Sequence, residues 1–255
     1  MTNPMKKLIP LLSLAAVVFG VLPAQAQLGG GHGAGPQFNA AMAKLFGDNQ
    51  TFTANMELQT AEPTSGNMMT IPGKMTFDSG KTRFEMNMAD IKGGSMPANM
   101  AAQLKAMGMD SMVAITRPDL NVSYLIYPGM KSYLEHASED SASTNLNDFK
   151  MDVTAIGKET LAGHDCVKNK VVVTEKDGTT HESTVWNATD LKKFPVQIES
   201  NEQGRKNIMT FTGVSFAKPD ASSFAAPAGY AKYDNMQAMM QQMMMKQMGS
   251  KAPQN

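Results

Sequence analysis

At 255 residues the chain is long enough to bury a full core as one large β domain. Its 23 basic and 23 acidic residues cancel to a formal net charge of zero, a balance that gives no reason to expect nucleic acid or an anionic membrane as partner. One cysteine, Cys166, excludes an intramolecular disulfide, so burial must hold the fold, and 24 methionines against 7% aromatic residues set the composition apart.

Residues 1–26 read as a secretory signal peptide: Lys6 and Lys7 without an acid, an apolar run over 8–22, and the small-x-small site Ala24-Gln25-Ala26, with cleavage after Ala26. A transmembrane helix would need about 20 apolar residues and different flanks. Removing Lys6 and Lys7 leaves 21 basic against 23 acidic residues, a net charge of −2, and no cysteine at the cut to carry a lipid anchor. The mature chain therefore reads as a soluble periplasmic protein with no transmembrane anchor. Residues 27–36 are a Gly-rich flexible leader that does not fit Gly-x-Gly-x-x-Gly, and His32 within it stands alone. The domain proper, 37–233, opens on a short amphipathic helix with Phe38, Met42, Leu45 and Phe46 on one face, closed by Gly47.

Strands follow. Residues 51–60 alternate, with Phe52, Ala54, Met56 and Leu58 on one side. Residues 69–78 and 81–88 form a hairpin whose Lys74, Thr76, Arg83 and Glu85 should face water. Residues 112–116 and 122–127 pair across Arg117-Pro118-Asp119-Leu120-Asn121, residues 131–135 return after Pro128-Gly129, and 138–147 read as a polar surface loop. In the run from Ile156, Gly157 and Gly163 are expected to punctuate a turn before a strand alternating Cys166, Lys168, Lys170 and Val172 against Val167, Asn169, Val171 and Val173. Asp177-Gly178 turns this strand into 179–187, Phe194-Pro195 breaks the ladder, and Gly204-Arg205 reverses the chain into 208–216. About ten or eleven strands spaced as a meander predict a mainly β (α+β) architecture: one strongly curved antiparallel sheet, a half-open β-barrel, lidded by short helices.

Two methionine-rich stretches interrupt that pattern. Met100, Leu104 and Met107 fall on one face of a helix over 98–107 and, with Met86 and Met88, form a candidate lid over one face of the sheet. Methionine suits such a lid because an unbranched, polarisable side chain repacks around varied apolar cargo, although the same residues also serve as ordinary core filler. These residues make a hydrophobic small molecule or lipid the leading candidate ligand. Residues 234–255 read as a Met/Gln-rich helix or tail, with Asn235 as N-cap and Gly249 as stop. There Met236, Met240 and Met243 share a side, with Met244 and Met248 beside them, giving the alternative of a Cu(I) site, since thioethers are soft ligands.

Catalysis is poorly signposted. His164-Asp165-Cys166 are consecutive, so on a strand Asp165 points away from the other two, and the run reads as a corner. Neither Gly-x-Ser-x-Gly nor His-Glu-x-x-His occurs, His136 and His181 have no evident partners, and Glu159 and Glu182 read as solvated acids. The chain is therefore read as a non-enzyme with no catalytic residue and no cofactor, and Cys166 as a buried small apolar residue.

The order of certain motifs resembles a family of unknown function in exported bacterial proteins, placed with the outer-membrane lipoprotein carrier (LolA/LolB-like) superfamily. These are Arg117-Pro118-Asp119 with Tyr124 and Tyr127-Pro128, Lys131 and Tyr133, Gly157 to Cys166, Trp186 with Phe194-Pro195, and Phe224 to Tyr230, within about residues 50 to 233. The resemblance implies the carrier fold, a half-open barrel whose apolar concave face holds acyl chains under helices. It transfers no individual functional residue.

Overall fold

The alternation of 51–60 survives into the coordinates of a computed structural model, which describes residues 40–61, 66–94, 99–137, 149–202 and 205–249. The signal-peptide, leader and 138–147 loop readings, together with His32 and Phe38, lie outside the described residues. Strand β1 (Thr51–Ala61) buries Phe52, Ala54, Met56 and Leu58 and leaves Asn55 and Glu57 in water. Helix α1 (Ala40–Lys44) precedes it and delivers Phe46 into the core.

From β1 the chain runs outward as an antiparallel meander through β2 (Met68–Asp78), β3 (Lys81–Asn87), β5 (Ser111–Arg117), β6 (Val122–Tyr127) and β7 (Ser132–Ala137). A two-residue strand, β4 (Lys92–Gly93), pairs with the start of β2, and helix α2 (Met100–Met107) lies between β4 and β5. The chain then reappears at the opposite end of the sheet as β8 (Lys150–Leu161) and works back through β9 (His164–Thr174), β10 (Thr180–Ala188), β11 (Pro195–Glu202) and β12 (Arg205–Ser215), which pairs with β1. A short β13 (Ala231–Tyr233) adds in parallel to β7, and helix α3 (Met236–Gly249) ends the described chain. The result is one large, curved, unclosed sheet of 13 strands, antiparallel except for β13.

The count exceeds the expected ten or eleven because β4 and β13 are too short to show a period in sequence. The turn expected at Gly157 is not there: β8 runs through it, and the register slip against β9 between Ala155 and Gly157 makes Ile156 a bulge. The reversal is Ala162-Gly163, both at positive φ. Thr76, expected in water, is buried. On that outer face Arg83 and Arg117 donate to the carbonyls of Ser223 and Phe224 at 3.1 and 3.2 Å, and Phe224 packs with Val113, Ile115 and Ile126, flanked by Tyr124, Tyr133 and Tyr230. Several motifs of the resemblance thus fasten the C-terminal segment to the sheet. The two proline turns are alike as well: Pro118–Leu120 and Pro128–Met130 are both 3-10 turns that end on a residue at positive φ, Asn121 and Lys131.

Candidate functional site

Register fixes which side chains share the inner face. Ala54, Met75, Phe84, Ala114, Leu125 and Leu134 lie in one row across β1, β2, β3, β5, β6 and β7. The adjacent row, through Phe211, Met56, Gly73, Met86 and Met112, runs parallel to it. Gly73 is small for a reason: a Cβ there would sit 2.5 Å from the Phe84 ring, so glycine lets that ring lie across the strand.

Over the central strands this face is filled by the protein's own side chains. Phe46 stacks on Phe52 at 4.7 Å, and Phe194 meets Phe52 edge-on at 4.9 Å and Phe211 at 5.8 Å. Over this part of the sheet the inner face is thus occupied by an aromatic cluster whose rings are almost fully buried. A cleft of about 870 Å³ does open on the molecule; Asn55, Glu57, Lys74, Glu85, Thr210 and Thr212 of its lining pair across the strands on the outer, polar face, and Met56, Gly73, Met86 and Met112 of the inner row also border it.

Nearer the β7 end the inner face changes character. A second apolar cluster joins Leu104 of α2, Met109, Met112, Tyr127 and Leu134 to Met239 of α3, with Met86, Met88, Met107, Met130, Met236 and Met240 packed around it. Two local devices hold the helices there. Gly108, at φ 70°, caps α2 with its N–H donating to Lys105 O at 3.0 Å, and a Cβ on Gly108 would strike the backbone of Gly129 at 2.9 Å. Asn235 Oδ1 accepts from the Ala238 N–H at 2.8 Å, the N-cap anticipated for α3, and Tyr233 donates its hydroxyl to Gln242 Oε1 at 2.6 Å. Burial in this cluster pushes the Tyr127 phenol above its ordinary pKa.

The candidate lid residues are thus assembled in part. Met86, Met88, Leu104 and Met107 meet in the cluster, while Met100 opens α2 with its side chain outside the described set. Sequence reading missed Met109, Met112, Tyr127, Leu134 and Met239. The period-two pattern of β5 to β7 carried the middle three, and Met239 falls in the stripe 236, 239, 240, 243. The candidate copper residues are divided: Met236 and Met240 pack into the cluster, Met243 is half-buried, Met244 is 50% exposed, and the Met248 side chain is not described.

Several of the remaining polar groups are paired locally. Cys166 is buried, its thiol pushed up by burial and donating to His164 O at 3.4 Å, while His164 Nδ1 lies 2.8 Å from Asp190. Glu159 and Glu182 are not merely solvated: Glu159 accepts from Trp186 Nε1 and pairs with Lys168 at 3.2 Å, and Glu182 pairs with Lys170 at 2.8 Å. The Trp186 N–H, with Lys168 second, holds the Glu159 carboxyl below the usual carboxylate range. His181, read as partnerless, lies 2.7 Å from Glu175. Among the described residues no group of three or more His, Cys, Asp or Glu is placed to hold a metal, and no helix is long and apolar enough to cross a membrane.

Fold and site together define a curved-sheet protein with a methionine-rich, helix-covered cluster at one end of its inner face. The chain belongs to the family described as Domain of unknown function (DUF4412), whose model matches residues 52–194. No curated protein sequence matches it. Solved structures similar to it include a LolA superfamily protein, NE2245 of Nitrosomonas europaea, at 9% identity, covering 73% of this chain and 94% of that one with a TM-score of 0.38. The lipoprotein LppX of Mycobacterium tuberculosis is similar at 10% identity, with 68% and 92% covered and a TM-score of 0.39. LprF of Mycobacterium bovis is similar at 11% identity, with 75% and 94% covered and a TM-score of 0.39.

Proposed function

We propose that the protein is a non-catalytic, periplasmic binding or carrier protein for a hydrophobic molecule, a lipid or free acyl chain, taken up at the methionine cluster. The supporting observation is that cluster itself: apolar side chains set apart from the aromatic core and covered by two short helices rather than by the body of the sheet. Thioethers there offer a surface that remodels at low energy around a flexible chain. Export follows from the signal-peptide reading of residues 1–26.

Delipidated protein titrated with a fluorescent long-chain fatty acid is expected to bind it saturably and to gain stability, by about 2.7 kcal/mol at a hundredfold excess over Kd. Substituting Leu104→Glu, which places a charge in the cluster, is expected to abolish the uptake. Protein that shows neither saturable binding nor a rise in Tm overturns the proposal.

A further inference from the structure

We infer that α3 is a displaceable plug: Met236, Met239 and Met240 fill the apolar space between α2 and strands β5–β7, and an acyl chain takes that space when α3 leaves. This rests on the carrier reading above and adds how its site is opened.

Four observations converge on it. The space is already filled by α3, Met239 being 0% exposed, so whatever takes the place of Met239 must move the helix. The helix, like β12 and β13, lies outside the 52–194 span of the family match, at the end of the described chain. Its attachment is slight. The Asn235 cap is internal to the helix, and Tyr233–Gln242 reaches only to β13, itself three residues paired to β7 and pinned by Lys232–Glu135 at 2.7 Å. No ion pair ties α3 to the sheet among the described side chains.

The fourth is composition. A fourteen-residue helix is marginal in water by itself, so α3 owes its order to docking through these methionines, while Met245 on its other side is 60% exposed and Met244, at the flank of the stripe, 50%. Three methionine side chains present about twelve non-hydrogen atoms, roughly three quarters of a common fatty acyl chain, so an acyl chain more than refills what they vacate. That surplus burial offsets part of the cost of undocking the helix.

The test compares the full chain with full-chain M236Q/M239Q/M240Q, in which glutamine keeps side-chain length and helix propensity but removes the apolar docking. The same fluorescent fatty acid is the probe, and hydrogen exchange of α3 is followed with and without it. The expected result is loss of α3 protection in wild type on saturation, and about tenfold tighter binding by the variant, because its competent state no longer pays for opening. Binding with α3 protection unchanged or raised overturns the plug and leaves the carrier reading standing. Absence of binding in both proteins overturns both. Circular dichroism checks the variant's fold, and if it fails to fold, the wild-type exchange alone decides.

Discussion

Asp78 shows how a single side chain sets the start of the meander. It ends β2 just before Ser79-Gly80, both at positive φ, and its carboxylate pairs with Lys81 at 2.8 Å and accepts from the Thr51 hydroxyl at 3.0 Å. Asp78 thereby ties the β2–β3 turn to β1. The Lys81 ammonium, with Thr51 adding to it, holds the Asp78 carboxyl below its ordinary value against a burial that pushes the other way. A folded-state pKa below the unfolded one gives stability that is present above about pH 4 and is lost as pH falls through the folded value. Asp78→Asn is therefore expected to lower stability at pH 7 by about 1–3 kcal/mol and to unfold in urea much like wild type in acid. If the gap between the two proteins stays constant from pH 7 to pH 2, Asp78 does not play this part.

Among the elements, β8 is the exposed flank. Among the described residues it pairs only with β9, its residues 152–160 are all exposed, and Val153 and Ile156 are each 53% exposed. Such an edge is a template for pairing with another chain, and the devices that blunt one are present: Lys150 and Lys158, and the bulge at Ile156. Lys158→Val would give the strand's second half an apolar face beside Ile156. The expected outcome is concentration-dependent association in sedimentation or light scattering, with the wild-type protein unaffected. A variant that stays as dispersed as wild type removes Lys158 from this protective role. Glycine marks bulges as well as turns, which is why Gly157 looks like a turn in sequence although β8 runs through it.

At the scale of the whole molecule, what was legible in sequence was local. The hairpins around Asp78-Ser79-Gly80-Lys81, Pro118, Pro128 and Asp177-Gly178 were readable because turn chemistry and alternation are written within ten residues of each other. Strand order was not. That β1 pairs with β12, and that β8 sits at the far end from β7, depends on contacts about 150 residues apart that leave no periodic trace. The candidate site was half legible for the same reason, since α2 and α3 meet only through the fold. The seam between β1 and β12 joins the two runs of strands, and Phe194, in the turn before β11, locks it: its ring lies 5.4 Å from Phe46, 4.9 Å from Phe52, 5.8 Å from Phe211 and 5.9 Å from Phe216. Phe194→Ala removes the ring that all four share, and refilling that gap requires both runs to shift, so a loss of about 3–5 kcal/mol in urea unfolding is expected. The methionine cluster is built from other residues, bordering the aromatic core at Met86. Fatty-acid affinity measured below the transition is accordingly expected to stay within about twofold of wild type, because Met86, which the two clusters share, is not among the rings that Phe194 meets. If affinity falls along with stability, the two clusters act as one core and the site is not separable from the frame that carries it.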